Sequence, residues 1–268
     1  MSGITIADIE VLFNAELITL NEWFQANLLS LNVKKTSCII FSNRENLKIN
    51  IMLASTVIDV IQDTKFLGII ISQNLKWNKH IDIVLNKSSK NIGIIAKVRH
   101  LLPIALTRAL YSTLVEPYIT YCNIIWSQPE PTVKLDKVFK IQKKYCRLIT
   151  FSGFITHSKP LFKQLSILNV YQIYKHQLGI FMYKNLNFLI PPITDSFTSN
   201  FILNSNVHQH FTRQHHQLHQ VYCRTKLRKM TVVIQGLTFW NKLPSVLRES
   251  PSLGVFRKKL KLHLLQHD

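Results

Sequence analysis

His80-Ile-Asp-Ile-Val-Leu-Asn-Lys-Ser-Ser-Lys-Asn-Ile-Gly-Ile-Ile-Ala-Lys-Val-Arg-His-Leu-Leu102 is the stretch on which the fold turns. At about 100° per residue, Ile81, Val84, Leu85, Ser88, Ile92, Ile95 and Ala96 fall on one face of a helix. Lys79, Lys87, Lys90 and Lys97 gather on the other, and Arg99 breaks the pattern by landing on the apolar side near the helix end. Pro103 can open a following helix, in which Leu106, Leu110 and Leu114 align at four-residue spacing. Residues 131–150 repeat the device. Leu135, Val138, Phe139, Cys146 and Ile149 make an apolar stripe, with Lys137, Lys140, Lys144 and Arg147 opposite.

Upstream of Trp77 the periodicity differs. Residues 8–26 predict an amphipathic helix with Ile9, Leu12, Phe13, Leu17, Leu20 and Phe24 recurring at three- and four-residue steps. An extended piece, Ser37–Phe41, precedes three Ile- and Val-rich candidate strands at Leu47–Met52, Thr56–Ile61 and Lys65–Ser72. The expectation is a helix on a small antiparallel sheet, followed by helices: an α+β chain that is mainly α. Downstream, Pro191-Pro192 marks a break, and residues 193–235 are polar, His-rich and poorly periodic, as a long loop would be. The chain closes with Gly236-Leu-Thr-Phe-Trp-Asn-Lys-Leu-Pro244. A last helix turns Leu253, Phe256, Leu260 and Leu264 inward, with Arg257, Lys258, Lys259 and Lys261 around them. No tandem repeat occurs. Three segments follow from these changes, at 1–75, 76–190 and 191–268.

With 268 residues and 47% hydrophobic content, the chain has the material for one or two ordinary cores. Its charge is the most informative bulk property. Lys and Arg number 33 against 14 acids, a net +19, and the excess is unevenly placed. Residues 1–63 carry four bases and seven acids, for −3, whereas residues 64–268 carry 29 bases and seven acids, for +22. A field of that sign favours a polyanion. One basic stripe is most simply a solvated helix face; two of them under one positive field point to a phosphate-facing surface.

Other chemistry is poorly supported. No apolar run approaches the ~18–20 residues that span a bilayer, and the N-terminus has no basic n-region, so stable membrane insertion and secretion are not expected. Cys38, Cys122, Cys146 and Cys223 lie far apart without a CxxC pair and read as free intracellular thiols, in nucleus or cytoplasm. His208-x-His210 and His215-His216-x-x-His219 have metal-like spacings but no Cys or carboxylate in a ligand pattern. They read better as imidazoles that gain positive charge as pH falls. GxxxxGK[ST], GxSxG and HExxH are all absent.

Read in order, several short strings resemble landmarks that follow the catalytic Asp-Asp loop in jockey-like, LINE-type non-LTR retrotransposon reverse transcriptases. Asn21-Glu-Trp-Phe-Gln-Ala-Asn27 ends the first helix. Leu29-Ser-Leu-Asn-Val-Lys-Lys-Thr36, running into Cys38–Phe41, is similar to the family's palm motif D. Lys65-Phe-Leu-Gly-Ile69, with Leu75-Lys-Trp77 and His80-Ile81, resembles the primer-grip hairpin and the entry to the thumb. Leu110-Tyr-Ser-Thr-Leu-Val-Glu-Pro-Tyr118 and Tyr121–Trp126 look like thumb helices. Ile141-Gln-Lys-Lys144 with Arg147, Pro160-Leu-Phe162 and Trp240-Asn-Lys-Leu-Pro244 complete the series. The resemblance covers roughly residues 8–265.

The resemblance implies a palm remnant, a helical thumb and a basic C-terminal extension of an enzyme that copies RNA into DNA. It implies that Lys34 and Lys35 sit where a family lysine approaches the incoming triphosphate, and that Phe66, Leu67 and Gly68 match the primer-grip core. Gly68 there would let a backbone approach the primer, although a plain strand glycine is an equal reading. The departure is at the metal site. Polymerisation in the family requires carboxylate clusters holding paired Mg²⁺, but the stretch where the Asp-Asp pair should stand reads Met1-Ser-Gly-Ile-Thr-Ile6. Asp59 and Asp63, the nearest acid pair, read as surface residues. The expectation is a chain with no cofactor of its own that does not polymerise. It would bind duplex or RNA/DNA hybrid through phosphates, using Lys34, Lys35, Phe66, Leu67, Gly68, Lys87, Lys90, Lys97, Lys137, Lys140, Lys144 and Arg147. The alternative expectations are a non-catalytic helical interaction module, a degenerate element copy without a selected role, and a peripheral membrane binder.

Overall fold

Thr5 starts the first helix. Its hydroxyl accepts from the Asp8 amide at 3.2 Å while the Asp8 carboxylate accepts from the Thr5 amide at 2.8 Å, a reciprocal cap that sets the start of α1 (Ile6–Ala26) two residues before the expected start at Asp8. The structure, a computed structural model, describes residues 5–42, 49–53, 56–128, 132–191, 199–207, 210 and 213–267. Leu47 and Lys48 of one expected strand, Pro192 of the expected break, His208, and the first four residues of the acid-free stretch lie outside the described residues. Two compact units emerge, Met1–His80 and Ile81–Asp268.

In the first unit, α1 is stitched to the strands by Asn14. Its side chain donates to the Asn50 carbonyl at 3.0 Å and accepts from the Met52 amide at 2.9 Å. A short 3₁₀ turn, Val33–Lys35, leads into β1 (Ser37–Cys38), β2 (Met52–Leu53), β3 (Thr56–Val57), β4 (Asp59–Val60), β5 (Asp63–Phe66) and β6 (Ile69–Ser72). These do not form one antiparallel sheet. They make three two-stranded ladders, with β2–β3 and β5–β6 antiparallel and β1–β4 parallel. Parallel pairing is possible here because some 20 residues separate β1 from β4, enough for the crossover that a tight hairpin cannot supply. A small core of Ile51, Leu53 and Ile58, with Leu17, Leu31, Val33, Cys38 and Ile49 against it, joins α1 to the strand region around β1, β2 and β3.

The first helix departs from expectation on its exposed side. Leu17 and Phe24 are half-buried, but Ile9, Leu12, Phe13 and Leu20 of the same stripe are exposed, as are Val11, Ile18 and Trp23. The short ladders cover only part of the helix's apolar circumference.

In the second unit, α2 (Asn78–Val98, whose first turn belongs to the preceding unit), α3 (Ile104–Leu114), α4 (Glu116–Thr120), α5 (Asn123–Trp126), α6 (Val133–Ile149), α7 (Ser158–Gln164) and α8 (Val170–Leu186) follow one another. Further on come α9 (Asn204–Val207), α10 (Lys226–Lys229), α11 (Val232–Lys242), α12 (Ser245–Arg248) and α13 (Leu253–His267). Helix content is 60% against 8% strand, so the chain is α+β and mainly α.

The hub is α8. Val170, Ile173, Tyr174, Leu178, Ile180, Met182 and Tyr183 are buried around much of its circumference, the mark of a helix covered on several sides. It packs against α4, α5, α6, α11 and α13. Residues 191–268 therefore share a body with 81–190. Gly236 makes the close α11 contact possible, since a Cβ there would stand 2.5 Å from the Met182 sulfur. Asn241 ties the polar segment to this body, donating to the Leu218 carbonyl at 2.8 Å and accepting from the Leu218 amide at 3.0 Å. Leu253 excepted, the inward set expected for the last helix is deeply buried: Phe256, Leu260 and Leu264.

Candidate nucleic-acid interface

The apolar spacing decides which way α2 and α6 turn their lysines. On α2, Ile81, Val84, Ser88, Ile92 and Ile95 are buried, while Leu85 and Ala96 are half-buried. On α6, Leu135, Val138, Gln142, Tyr145, Cys146 and Ile149 are buried. Lys87, Lys90 and Lys97 on α2, and Lys137, Lys140 and Lys144 on α6, are consequently exposed.

The two helices are neighbours running in the same direction. At their starts, the Lys134 ammonium bonds both oxygens of Asp82, at 2.5 and 2.6 Å. At their ends, the Arg99 guanidinium donates to the Leu148 carbonyl at 2.8 Å. Arg99 broke the apolar pattern because it spans to α6, where it caps the Leu148 carbonyl left unpaired by that helix's end.

Charge is largely uncompensated here. Among the described residues the ion pairs are Lys79–Asp63 and Lys134–Asp82, and neither takes up a lysine of the two exposed rows. Lys79, which periodicity placed with Lys90 and Lys97, is engaged by Asp63. That carboxylate also accepts from the Ser72 hydroxyl at 2.6 Å, and the lysine and serine donors together hold its pKa below the usual carboxylate value. Asp63 is thus a half-buried structural partner, whereas Asp59 is exposed as expected. The Lys87 ammonium lies 5.0 Å from the centre of the Tyr118 ring, and Lys143, outside the expected row, lies 4.0 Å over Phe139. Arg147 is half-buried and donates to the Thr156 carbonyl at 2.9 Å.

The remaining expected residues belong to the first unit. Lys34 and Lys35 are exposed on the 3₁₀ turn. Phe66, Leu67 and Gly68 form the tip of the β5–β6 hairpin, where Phe66 pairs with Ile69 across a two-residue loop. Leu67 and Gly68 have φ of 45° and 84°, the positive pair a type I′ turn requires. The turn itself explains Gly68, and neither close approach to a primer nor a place within a strand is needed. Leu67 occupies a position normally given to Asn or Asp, and it is exposed.

No group of three or more His, Cys, Asp or Glu converges among the described residues. In the polar segment, His215 and His216 stack edge-on with ring centres 5.1 Å apart, and the His219 ring meets the Asn204 side-chain oxygen at 3.1 Å. No helix of the described residues is long and apolar enough to cross a membrane.

Sequence reasoning missed the loop after α6. Phe151, Phe154 and Ile155 are exposed there beside Arg99, His100 and Arg147. The available signal was an apolar run interrupted by Ser152-Gly153, which marks a turn and leaves its neighbours without a helix face to bury. Searches against protein-family models, curated proteins and solved structures found no match to this chain.

Proposed function

We propose that the chain binds duplex or hybrid nucleic acid through backbone phosphates. In this reading it is the palm-and-thumb portion of a non-LTR reverse transcriptase. The observation that carries the binding is the pair of neighbouring helices, α2 and α6. Six of their lysines stand in solvent with no carboxylate partner among the described residues. Lysine ammonium groups are compact charges suited to releasing counterions from a phosphate backbone, with no demand on base sequence. The family part of the proposal rests on the ordered strings quoted above.

A salt titration tests the binding. Changing Lys87, Lys90, Lys137 and Lys140 to Glu should flatten the slope of log affinity against log salt by about 3.6, taking ~0.9 for each duplex phosphate that is no longer neutralised. An unchanged slope in that variant refutes the assignment of the two rows.

The exposed apolar side of α1 favours a second reading, a helical interaction module. Asp8, Glu10, Glu16 and Glu22 intersperse Ile9, Leu12, Phe13 and Leu20 there, with no base on the helix. Light scattering of the purified chain separates the two: self-association abolished by Leu12→Lys, together with no salt-dependent binding of duplex, would favour the module.

A further inference from the structure

The loop between α6 and α7 displays rings where a chain would ordinarily hide them. Phe154 and Ile155 are 89% and 93% exposed, and Phe151 is 55% exposed. Phe151 also has φ of 52°, in the left-handed region that ends helices and that is normally left to glycine. The Ser152 amide closes the turn onto the Arg147 carbonyl at 3.1 Å. A phenylalanine in that conformation is both strained and exposed, so neither packing nor backbone preference accounts for it.

What lies beside these rings is basic. The Arg99 guanidinium sits 5.0 Å from the centre of Phe151, and the His100 ring packs against the same phenylalanine at 5.3 Å and 56°. The Arg147 guanidinium lies 5.9 Å from the centre of Phe154. Arg99 and Arg147 are anchored to the Leu148 and Thr156 carbonyls rather than to carboxylates, so their positive charge is not neutralised. From Lys137 to Thr194 the chain contains no acid.

We propose that this loop is a stacking platform for unpaired bases, by which the chain holds single-stranded nucleic acid at the end of α6. The inference rests on the nucleic-acid reading above and adds the class of strand and the place where it is held. Exposed aromatic faces accept any base, and guanidinium groups beside them accept the phosphates that come with it. An anionic bilayer is the poorer occupant. Sinking the rings into hydrocarbon would draw in Arg99 and Arg147, which are tied to main-chain carbonyls next to them.

The test uses the full chain and three fluorescein-labelled probes of about 20 nucleotides, longer than a typical ~4–16-nucleotide single-strand site: oligothymidylate, a duplex, and an abasic strand. The double variant Phe151→Ala/Phe154→Ala should weaken oligothymidylate binding about tenfold or more, given the usual cost of removing a stacking ring, and leave the salt slope unchanged. Duplex and abasic-strand affinities should stay within about twofold, since phosphate contacts alone set them. Phe154→Leu, which keeps the bulk and loses the π face, should weaken oligothymidylate in the same direction without moving the melting temperature. An equal loss on all three probes, or no loss on oligothymidylate while duplex binding persists, overturns the platform and leaves the lysine rows standing. Loss confined to phosphatidylserine vesicles also overturns it. Failure of the unchanged chain to bind any of the nucleic acids overturns this inference and the preceding one together.

Discussion

Replacing Gln142 with methionine should destabilise the second unit severely, although the two side chains have similar volume. Gln142 is fully buried among α6, α3 and the start of α8. Its amide nitrogen donates to the Tyr111 hydroxyl at 2.9 Å and to the Leu168 carbonyl at 3.3 Å, and its oxygen accepts from the Val170 amide at 2.8 Å. Val170 is the first residue of α8, so its amide has no acceptor within the helix. Methionine leaves that N–H and the Leu168 carbonyl buried and unpaired. At about 1–3 kcal/mol for each orphaned group, the loss is roughly 2–6 kcal/mol, a large share of the ~5–15 kcal/mol typical of a domain.

Tyr111 cannot compensate by ionising. Burial drives its hydroxyl pKa far above the ordinary tyrosine value, against the opposing effect of the Gln142 hydrogen bond, and its ring is stacked on Tyr145 at 4.2 Å. Urea unfolding followed by the fluorescence of the buried Trp126 and Trp240 measures the loss. Amide exchange at Val170 reports whether α8 frays first. A loss below about 1 kcal/mol, with Val170 protection unchanged, would refute the reasoning, because the orphaned groups would then have found other partners.

At the tip of the β5–β6 hairpin, Leu67→Asn should stabilise the first unit by about 0.5–1 kcal/mol, since asparagine tolerates positive φ and an exposed leucine gives up little there; thermal melting that moves downward would contradict it. Ser88 is completely buried on α2, and its hydroxyl has no hydrogen-bond partner among the described residues. Ser88→Ala should therefore raise stability by about 1 kcal/mol in a urea titration, and a fall would reveal a partner such as a buried water. Burial on α8 lowers the pKa of His176 below its ordinary 6.5, with Arg257 and Lys261 adding to the shift and the Arg257 carbonyl opposing it. The unfolded chain thus binds the proton more readily, so this stabilising contribution is complete above pH 6.5 and is withdrawn as pH falls from there through the lower folded value. His176→Gln should lessen the acid-side decline in stability, and identical pH profiles for the two proteins would count against it.

Helices were the most legible part of the fold. The buried sides of α2 and α6 could be read from spacing, because a 3.6-residue repeat records which side of a helix meets a core, although buried Gln142 and Tyr145 were missed and Phe139 is only half-buried. The strand region was less legible. Two-residue strands such as β1 and β4 carry too little alternation to show a partner or a direction, and their parallel pairing depends on where a long connection returns. The lysine rows were legible as rows, but not as neighbours. What joins them, Lys134 to Asp82 and Arg99 to Leu148, spans 52 and 49 positions. At the loop around Phe154 the sequence showed a turn, Ser152-Gly153, within an apolar run, but not the basic groups beside it, because Arg99 and His100 come from some 50 residues earlier.

By itself the sequence determined the charge of the chain and the phases of its principal helices. These are properties of composition and of short-range periodicity, which need no folded partner to exist. Tertiary structure alone decided that Arg99 caps α6, that Lys79 is spent on Asp63, and that most of the apolar stripe on α1 stays exposed. Each of these depends on distance between residues remote along the chain, and burial is a property of what arrives next to a side chain, which its own spacing does not record.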